Sequence, residues 1–246
     1  NYNFSNFKGI IKGKILDSSV KLDFHYNDDQ FAIKNLFFRE KNLAFDSKGF
    51  FSLKPYFNAE LTTEIKRINP NLIKKLSRNY TSNFKDIIKK INSQNTFFYK
   101  SKKFNRDLFD EFKIDGNLIF GRLEMSKEIL IANSKFNCLS DIDLIDEYPV
   151  LSFDCTIKSP DKRKLLKKFK VDYKTKNENL DIYIKGSINI LSSKINFEKI
   201  NVNNNYEASN GDLKYFKNTF ESILLDDGFL NIFEFIKIKK FILTIS

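Results

Sequence analysis

Residues 20–26 read VKLDFHY, and this short stretch decides the fold class. Its even-numbered residues, from Val20 to Tyr26, are apolar or aromatic, and the residues between them are polar. Successive side chains of a β-strand lie on opposite faces, so a repeat of two predicts a strand with one buried face and one solvated face.

The alternation continues beyond this stretch. The turn residues Asn27-Asp28-Asp29 follow at once, and from Leu43 to Ile65 the odd positions are again mostly apolar. Breaks at Asp46–Gly49 and at Lys54–Tyr56 predict that this span divides into short strands. Residues 1–68 therefore predict a first β segment made of antiparallel strands.

The pattern becomes helical at Asn69-Pro70, because Asn is a common N-cap and Pro suits the first helical turn. Apolar residues then recur mostly at spacings of three and four as far as Ile91, which predicts an amphipathic helix or a pair of helices. The polar stretch 92–106 is predicted to be a loop. Residues 69–106 therefore predict a basic helical insertion.

Strand-like alternation returns in the second half of the chain. It covers residues 112–120, 128–141, 149–158, 180–190 and 195–202, and a short basic helix is predicted from Ser159 through Lys170. Ser209 or Asn210 caps a helix that ends at Asp226-Asp227-Gly228, and Phe229–Phe235 begins another turn or two.

We therefore predict a mainly β protein of the β-rich α+β kind. Its core is an antiparallel curved sheet or groove with a central helical insertion and C-terminal helices. A single domain spans 1–246, with a β segment at 1–68, the insertion at 69–106, a second β segment at 107–205 and a helical region at 206–246.

The two cysteines, Cys138 and Cys155, fall at matching positions of a predicted hairpin. A hairpin centred between Asp146 and Glu147 places them directly opposite each other. Directly opposed residues have Cβ atoms within about 5.5 Å, which is close to the distance that a disulfide requires. Two buried thiols are one interpretation of this pair, and a disulfide, which indicates an oxidising compartment, is the other.

The composition excludes most chemistry that depends on histidine or on a metal. The chain of 246 residues has one His and two Cys, and it contains no G-x-S-x-G, P-loop, G-x-G-x-x-G or H-E-x-x-H motif. His25 lies on the polar face of its strand, and an exposed histidine beside a turn explains it better than a general base does. We expect no enzyme, catalytic residue, metal or cofactor. No stretch approaches the roughly 18 apolar residues of a membrane span.

The net charge of +11 is concentrated in residues 66–106, which carry twelve Lys or Arg and a single acid, Asp86. Three interpretations stay open: a solvated helix face, contact with anionic lipid headgroups, and contact with nucleic-acid phosphates. Aromatic residues lie on the apolar stripe and not among the lysines, where stacked bases require them, so nucleic acid is not an expected partner. The residues predicted to face a membrane surface are Lys74, Lys75, Arg78, Lys85, Lys89 and Lys90.

Two segments carry loosely spaced structural motifs. Residues 8–76 contain I-x-G, D-x-x-x-I-x-N-x-x-x-R, G-x-x-x-L-x-P-x-F and I-x-x-I-N. The positions that carry them are Gly13, Asp29, Ile33, Asn35, Arg39, Gly49, Leu53, Pro55, Phe57, Ile65, Ile68 and Asn69. In residues 195–224 a last strand meets a helix. Together these segments resemble the AsmA-like proteins of the proteobacterial envelope, whereas the middle of the chain resembles them only in its β pattern.

The resemblance implies a periplasmic protein whose inner-membrane anchor lies outside this chain, with a role in outer-membrane biogenesis and phospholipid transport. It implies β-sheets that curl into an apolar groove, and it supplies no catalytic residues. Phospholipid is the expected ligand, and an anionic membrane surface and other envelope proteins are further partners. The alternating pattern supplies the predicted lipid-binding residues, which are Val20, Leu22, Phe24, Phe51, Leu53, Phe57, Leu61, Leu118, Phe120, Ile182, Ile184, Ile188 and Ile190.

Alternatives stay open at this stage. Apolar sheet faces either remain open and bind acyl chains, with each buried CH₂ contributing about 0.8 kcal/mol, or close on themselves as an ordinary core. A non-catalytic envelope scaffold that acts through sheet-edge contacts is the second functional interpretation. An envelope enzyme that uses His25 ranks last.

Overall fold

The structure is a computed structural model that describes residues 6–68, 83–102, 107–172, 178–229, 232 and 234–245. Strands account for 57% of the described residues. They are β1 (Asn6–Ile15), β2 (Ser18–Asn27), β3 (Gln30–Arg39), β4 (Leu43–Ser52), β5 (Phe57–Ile68), β6 (Ile91–Lys100), β7 (Glu111–Ile119), β8 (Arg122–Ile131), β9 (Ser134–Asp143), β10 (Val150–Ser159), β11 (Leu180–Asn189), β12 (Lys194–Val202) and β13 (Tyr206–Glu207). The helices of the described ranges are α1 (Asn83–Ile88), α2 (Lys162–Lys168), α3 (Asn210–Leu224) and α4 (Phe235–Ile245).

The described strands are hydrogen-bonded neighbours in chain order within each of two groups, β1 to β7 and β8 to β13. Pairing is antiparallel from β1 through β5 and from β9 through β13, because short turns join these strands. The register shifts at Asp23/Phe24 and at Lys185/Gly186, and such bulges bend and twist a strand. The predicted mainly β class, with antiparallel pairing and C-terminal helices, is confirmed.

The chain divides into two compact units. Unit 1 comprises Asn1–Lys100 and Lys113–Leu123, and unit 2 comprises Ser101–Phe112 and Glu124–Ser246. The expectation of a single domain over 1–246 stays a prediction.

Unit 1 contains strands β1–β6 and most of β7, and β5 and β6 are parallel. A parallel pair needs a connection of a dozen or more residues, and 69–90, which ends with α1, supplies it. Gly49 in β4 has a φ of +148°, and a Cβ there would collide with the carbonyl oxygen of Glu60. Glycine at this position therefore allows β4 and β5 to approach closely.

In unit 2, helices cover one face of the strands and form two buried apolar clusters. The first cluster consists of Ile131, Leu165, Leu166, Phe169 and Val171, and α4 packs against it through Phe235, Ile238 and Ile242. The second consists of Ile188, Ile195 and Leu225, with Phe220 of α3 packed against it. These clusters are the core of unit 2.

Two predicted strand boundaries are wrong. Residues 128–141 do not form one strand, because a turn at Ala132-Asn133, where both residues have positive φ, separates β8 from β9. Ala132 provides no turn signal in the sequence. The break predicted at Asp46–Gly49 does not occur, since β4 continues through buried Ser47, which is hydrogen-bonded to Thr63.

The loop predicted at 92–106 is wrong in its first part, where Ile91–Lys100 forms β6. Pairing with β5 supplies the backbone hydrogen bonds of this polar stretch, and its own composition does not predict them. Of the predicted helical insertion at 69–106, the described residues form helix only at α1. Residues 69–82 and 103–106 lie outside the described part of the chain.

The predicted starts of two helices are confirmed. The Asp161 carboxylate caps α2 by accepting the Lys164 N–H at 2.9 Å. Ser209 caps α3 and forms a capping box with Asp212. The last described helix, α4, begins at Phe235. Within the predicted turn at Phe229–Phe235, Phe229 and Ile232 are in 3₁₀ conformation, and Leu230, Asn231 and Phe233 lie outside the described residues.

Candidate functional site

The candidate site is the apolar face of β1–β5 in unit 1, which we call the aromatic face. Strand register places Phe7, Tyr26, Phe31, Phe51 and Ala59 side by side on five neighbouring strands. Side chains alternate across a strand, so residues at the same parity join this row on the same face. The next row is Gly9, Phe24, Ile33, Gly49 and Leu61.

The aromatic rings of this face contact one another across the strands. The centroids of Phe24 and Phe31 are 4.8 Å apart, and those of Phe31 and Phe51 are also 4.8 Å apart. Phe7 meets Phe24 at 5.7 Å and Phe57 meets Phe51 at 6.0 Å, so the contacts run from β1 to β5. Offset stacked and edge-to-face rings at these distances attract one another, and the face is therefore a preformed apolar surface.

This surface is exposed at its edge strand β1 and partly covered elsewhere. Phe24 is buried, but Phe7 is 41% exposed and Ile11 is 53% exposed. Phe31, Phe51 and Leu61 are half-buried. In the described ranges, the two buried clusters contain only residues of unit 2.

One polar pair interrupts the aromatic face without disturbing it. The hydroxyls of Ser47 and Thr63 are 2.9 Å apart, and Ser47 also donates to the Thr62 carbonyl at 3.3 Å. Both residues are buried. Since their hydroxyls are satisfied, the pair does not attract water onto the apolar surface.

The opposite face of the unit 1 strands is polar. Thr96 of β6 donates to the Asp115 carboxylate at 2.7 Å, and the Lys113 ammonium lies 2.7 Å from the same carboxylate. The hydrogen bond from Lys113, with that from Thr96, lowers the pKa of Asp115. Charged side chains therefore lie on this face, which also carries Phe37 and Phe50.

Most of the predicted lipid-binding residues in unit 1 lie on its strands. They are Val20, Leu22 and Phe24 on β2, Phe51 on β4, Phe57 and Leu61 on β5, and Leu118 on β7. Leu53 and Phe120 do not lie in strands: Leu53 follows β4 and is 62% exposed, and Phe120 occupies the turn after β7 with a positive φ. The Phe120 ring instead meets Tyr56 at 5.4 Å.

The remaining predicted lipid-binding residues belong to unit 2. Ile182 and Ile184 lie on β11 and are half-buried, and Ile190 follows that strand. Ile188 is 5% exposed and belongs to the second buried cluster. The predicted set is thus divided between the two units, and Ile188 is a core residue.

Only part of the predicted membrane-facing basic set can be located. Lys85 lies in α1, and Lys89 and Lys90 follow it, with Lys89 at 3.8 Å from Asp86. Ile88 between them is buried, so this short helix has an apolar side and a basic side. Lys74, Lys75 and Arg78 lie outside the described residues.

The predicted pairing of the cysteines is confirmed. Cys138 of β9 lies directly opposite Cys155 of β10, and the two form a disulfide. Their row continues through Ile184 and Ile200, so the disulfide lies on the face of unit 2 that carries the apolar side chains. Of the two interpretations, buried thiols or a disulfide, the structure agrees with the disulfide.

Sequence reasoning missed several members of the aromatic face, notably Phe7, Phe38 and Phe45. Phe38 and Phe45 meet at 5.2 Å across β3 and β4. The sequence does contain a signal for part of this face. The turn at Asp28-Asp29 places Tyr26 opposite Phe31, just as the hairpin of β9 and β10 places Cys138 opposite Cys155. Applying the same hairpin arithmetic to β2 and β3 identifies the central part of the ladder.

His25 is half-buried on β2, and its Nε2 lies 2.7 Å from Oδ1 of Asn6. In the described ranges, no three His, Cys, Asp or Glu residues are grouped closely enough to hold a metal ion. None of the helices in the described part of the chain has the length and apolar character needed to span a bilayer.

Comparison of the chain with protein-family models, with curated proteins and with solved structures finds no match in any of the three.

Proposed function

We propose that this protein is an AsmA-like, periplasmic lipid-handling protein, which binds phospholipid acyl chains on the aromatic face in support of outer-membrane biogenesis. The observation that carries the proposal is the row of contacting rings from Phe7 to Phe57, in which Phe7 is exposed, Phe24 is buried and the other rings are half-buried. Soluble proteins seldom expose a large apolar patch unless it binds something.

The size of the face suits an acyl chain. Five strands at a spacing of about 4.8 Å give a row of about 19 Å. A bilayer core is about 30 Å thick, so one acyl chain reaches about 15 Å. Burying each CH₂ group contributes about 0.8 kcal/mol relative to water, so a chain laid along the row is stabilised in proportion to the CH₂ groups that it buries.

The Cys138–Cys155 disulfide supports a periplasmic location, because disulfides persist in oxidising compartments such as the bacterial periplasm. The basic side of α1, with Lys85, Lys89 and Lys90, supports contact with an anionic membrane surface from which lipid is taken. We propose no catalytic step for this protein.

The test is lipid analysis of the protein after expression in a bacterial periplasm and purification without detergent. Phe51→Ser removes a ring from the aromatic face, and Phe50→Ser, one residue earlier on the opposite face of β4, is the matched control. Native mass spectrometry of the unchanged protein is expected to show bound phospholipid. Phe51→Ser is expected to reduce the bound fraction about tenfold, and Phe50→Ser to leave it unchanged.

Equal loss of lipid in both variants, or a folded protein that never carries lipid, contradicts the proposal. The second result favours a scaffold that binds other envelope proteins through a sheet edge. Strand β1 is the end strand of the described sheet and presents exposed Ile10 and Ile11. Exposed strand edges pair with other chains. In that case, Ile10→Pro should abolish partner binding.

A further inference from the structure

Lys127 is a lysine in an apolar part of unit 2. It lies on β8 and is half-buried, and its Nζ donates a hydrogen bond to Oγ of Ser140 at 2.5 Å. Ser140 is itself buried and pairs directly with Phe153 across β9 and β10. The hydrogen bond therefore brings a positive charge onto the face of unit 2 that carries the apolar clusters.

The middle of this face lies between the two buried clusters. The first buried cluster includes contacts from Phe136 and Ile157, and the second from Phe153 and Phe197. Between them runs the row of Cys138, Cys155, Ile184 and Ile200. Both cysteines and Ile184 are half-buried and belong to neither cluster, whereas Ile200 at the end of the row is buried.

The Lys127 ammonium has no carboxylate partner among the ion pairs of the described residues. The acids of the neighbouring strands, Glu128, Asp141 and Asp154, occupy the alternate positions and so belong to the opposite face. An ammonium has three donors, and Ser140 accepts one of them. Burial lowers the pKa of Lys127, which reflects the cost of a charge that lacks a counter-ion.

We propose that Lys127 anchors the anionic group of an acyl-chain amphiphile, a fatty acid carboxylate being the preferred ligand, at a second binding site on unit 2. The two remaining N–H donors hold the carboxylate oxygens, and the acyl chain lies along the row from the disulfide to Ile184. Two strand spacings of about 4.8 Å give this part of the row a length of about 10 Å. This site goes beyond the proposed function, which rests on the aromatic face of unit 1.

The surroundings of Lys127 favour a ligand that has both an anionic group and an acyl chain. A small anion would lose its hydration against half-buried apolar side chains and gain a single cation in return. An uncharged lipid would leave the ammonium without a counter-ion. An amphiphile with one anionic end satisfies the ammonium and covers the disulfide and Ile184 together.

The test is binding of oleate with a ¹³C-labelled carboxyl group to the full chain, measured by NMR. Methyl oleate, acetate and dodecyl phosphate are the comparison probes, and they separate the carboxylate, the acyl chain and a phosphate headgroup. Oleate is expected to bind, and acetate and methyl oleate to bind at least about tenfold more weakly. Dodecyl phosphate binding as tightly as oleate assigns the site to a phosphate headgroup.

Lys127→Gln keeps a donor for Ser140 and removes the charge, and Lys127→Arg keeps both. The matched control is Lys135→Gln, an exposed lysine on the opposite face of β9. Lys127→Gln is expected to weaken oleate binding about tenfold, whereas the other two variants bind as the unchanged protein does. Equal oleate affinity for Lys127→Gln and the unchanged protein overturns the proposal, as does equal binding of methyl oleate.

Failure of this site is distinguishable from failure of the proposed function. Phe51→Ser lies in unit 1 and should leave oleate binding at Lys127 unchanged, and Lys127→Gln should leave co-purified phospholipid unchanged. If Lys127→Gln does not fold, the Lys127→Arg variant and the comparison of oleate with methyl oleate still decide whether a charge at this position selects the ligand.

Discussion

Ile188 and Val20 satisfy the same alternating pattern, yet the structure gives them different surroundings. Ile188 is 5% exposed and packs with Ile195 and Leu225 in the second cluster of unit 2. Val20 is half-buried on the aromatic face of unit 1. The alternating pattern thus identifies which side chains lie on the apolar face of a strand. It does not identify which of them are buried by other parts of the protein.

Substitution by alanine should have different effects on stability at these two positions. Ile188→Ala leaves a cavity in a packed cluster and should lower the free energy of unfolding by about 2–5 kcal/mol. Val20→Ala removes a smaller, half-exposed group and should cost under about 1 kcal/mol. Urea unfolding followed by circular dichroism measures both variants. Similar losses would show that the aromatic face is as tightly packed as the core of unit 2.

Asp161 provides a prediction on pH dependence. Its carboxylate accepts the backbone N–H of Lys164, and this hydrogen bond lowers the pKa of Asp161 below 3.8. A carboxylate with a lowered pKa stabilises the folded state fully above its unfolded pKa, and this contribution disappears as the pH falls through the folded pKa.

Asp161→Asn keeps a cap but cannot titrate. Between about pH 6 and about pH 2 its urea midpoint should therefore fall less steeply than that of the unchanged protein. Asp17→Asn, at an exposed turn position, serves as the control. Parallel curves for Asp161→Asn and the unchanged protein would contradict the assignment of acid sensitivity to the α2 cap.

At the scale of elements, helix α3 combines a local start signal with a long-range packing role. Ser209 accepts the N–H of Asp212, and the Asp212 carboxylate accepts the N–H of Ser209 at 2.9 Å. The same helix places Phe220 against Phe197 of β12, with ring centroids 5.7 Å apart. Its cap therefore stabilises the cover of the second cluster.

Ser209→Ala should lower the free energy of unfolding by about 1 kcal/mol, since it removes one half of the capping box. Chemical denaturation measures this change, and Ser152→Ala, an exposed serine on β10, is the control. A loss that is no larger than that of the control would mean that α3 is held by packing alone.

The pairing of β9 with β10 carries a second prediction at this scale. The disulfide joins residues 17 positions apart, and closing a loop of this length stabilises a protein by about 3 kcal/mol. Adding a reductant should lower the free energy of unfolding by that amount. A Cys138→Ser, Cys155→Ser double variant should show no response to the reductant, and an equal response would assign the effect to another cause.

At the scale of the whole molecule, the two units differ in what covers their apolar faces. Helices supply the cover for the apolar face of unit 2, whereas the aromatic face of unit 1 has no such cluster among the described residues. If phospholipid supplies that cover, it should stabilise unit 1 selectively.

A short-chain phospholipid at about 100 times its Kd should stabilise its binding site by about 2.7 kcal/mol. Hydrogen exchange should therefore slow in β1–β5, with little change in β10–β12. Mass spectrometry of peptides from the two units measures this difference. Protection confined to unit 2 would assign lipid binding to the Lys127 site instead of the aromatic face.

Local periodicity by itself determined the β class of the chain, the opposition of Cys138 and Cys155, and the caps of α2 and α3. Each of these depends on residues within one strand, one hairpin or one helical turn, so the information is contained in a short stretch. β6 and the turn at Ala132-Asn133 were not predicted, because their residue types give only weak signals. The backbone hydrogen bonds of β6 depend on its pairing with β5, and the turn depends on positive φ angles at both residues.

Only the tertiary structure decided which apolar faces are covered. The predicted lipid-binding set mixes half-buried Val20 with buried Ile188, because burial depends on whether a helix from a distant part of the sequence packs on that strand. The role of Lys127 was not predicted, for the same reason. Its position in the alternating pattern is evident in the sequence, but the loss of water around its charge results from packing in the folded protein, including contact with Ser140 on the next strand.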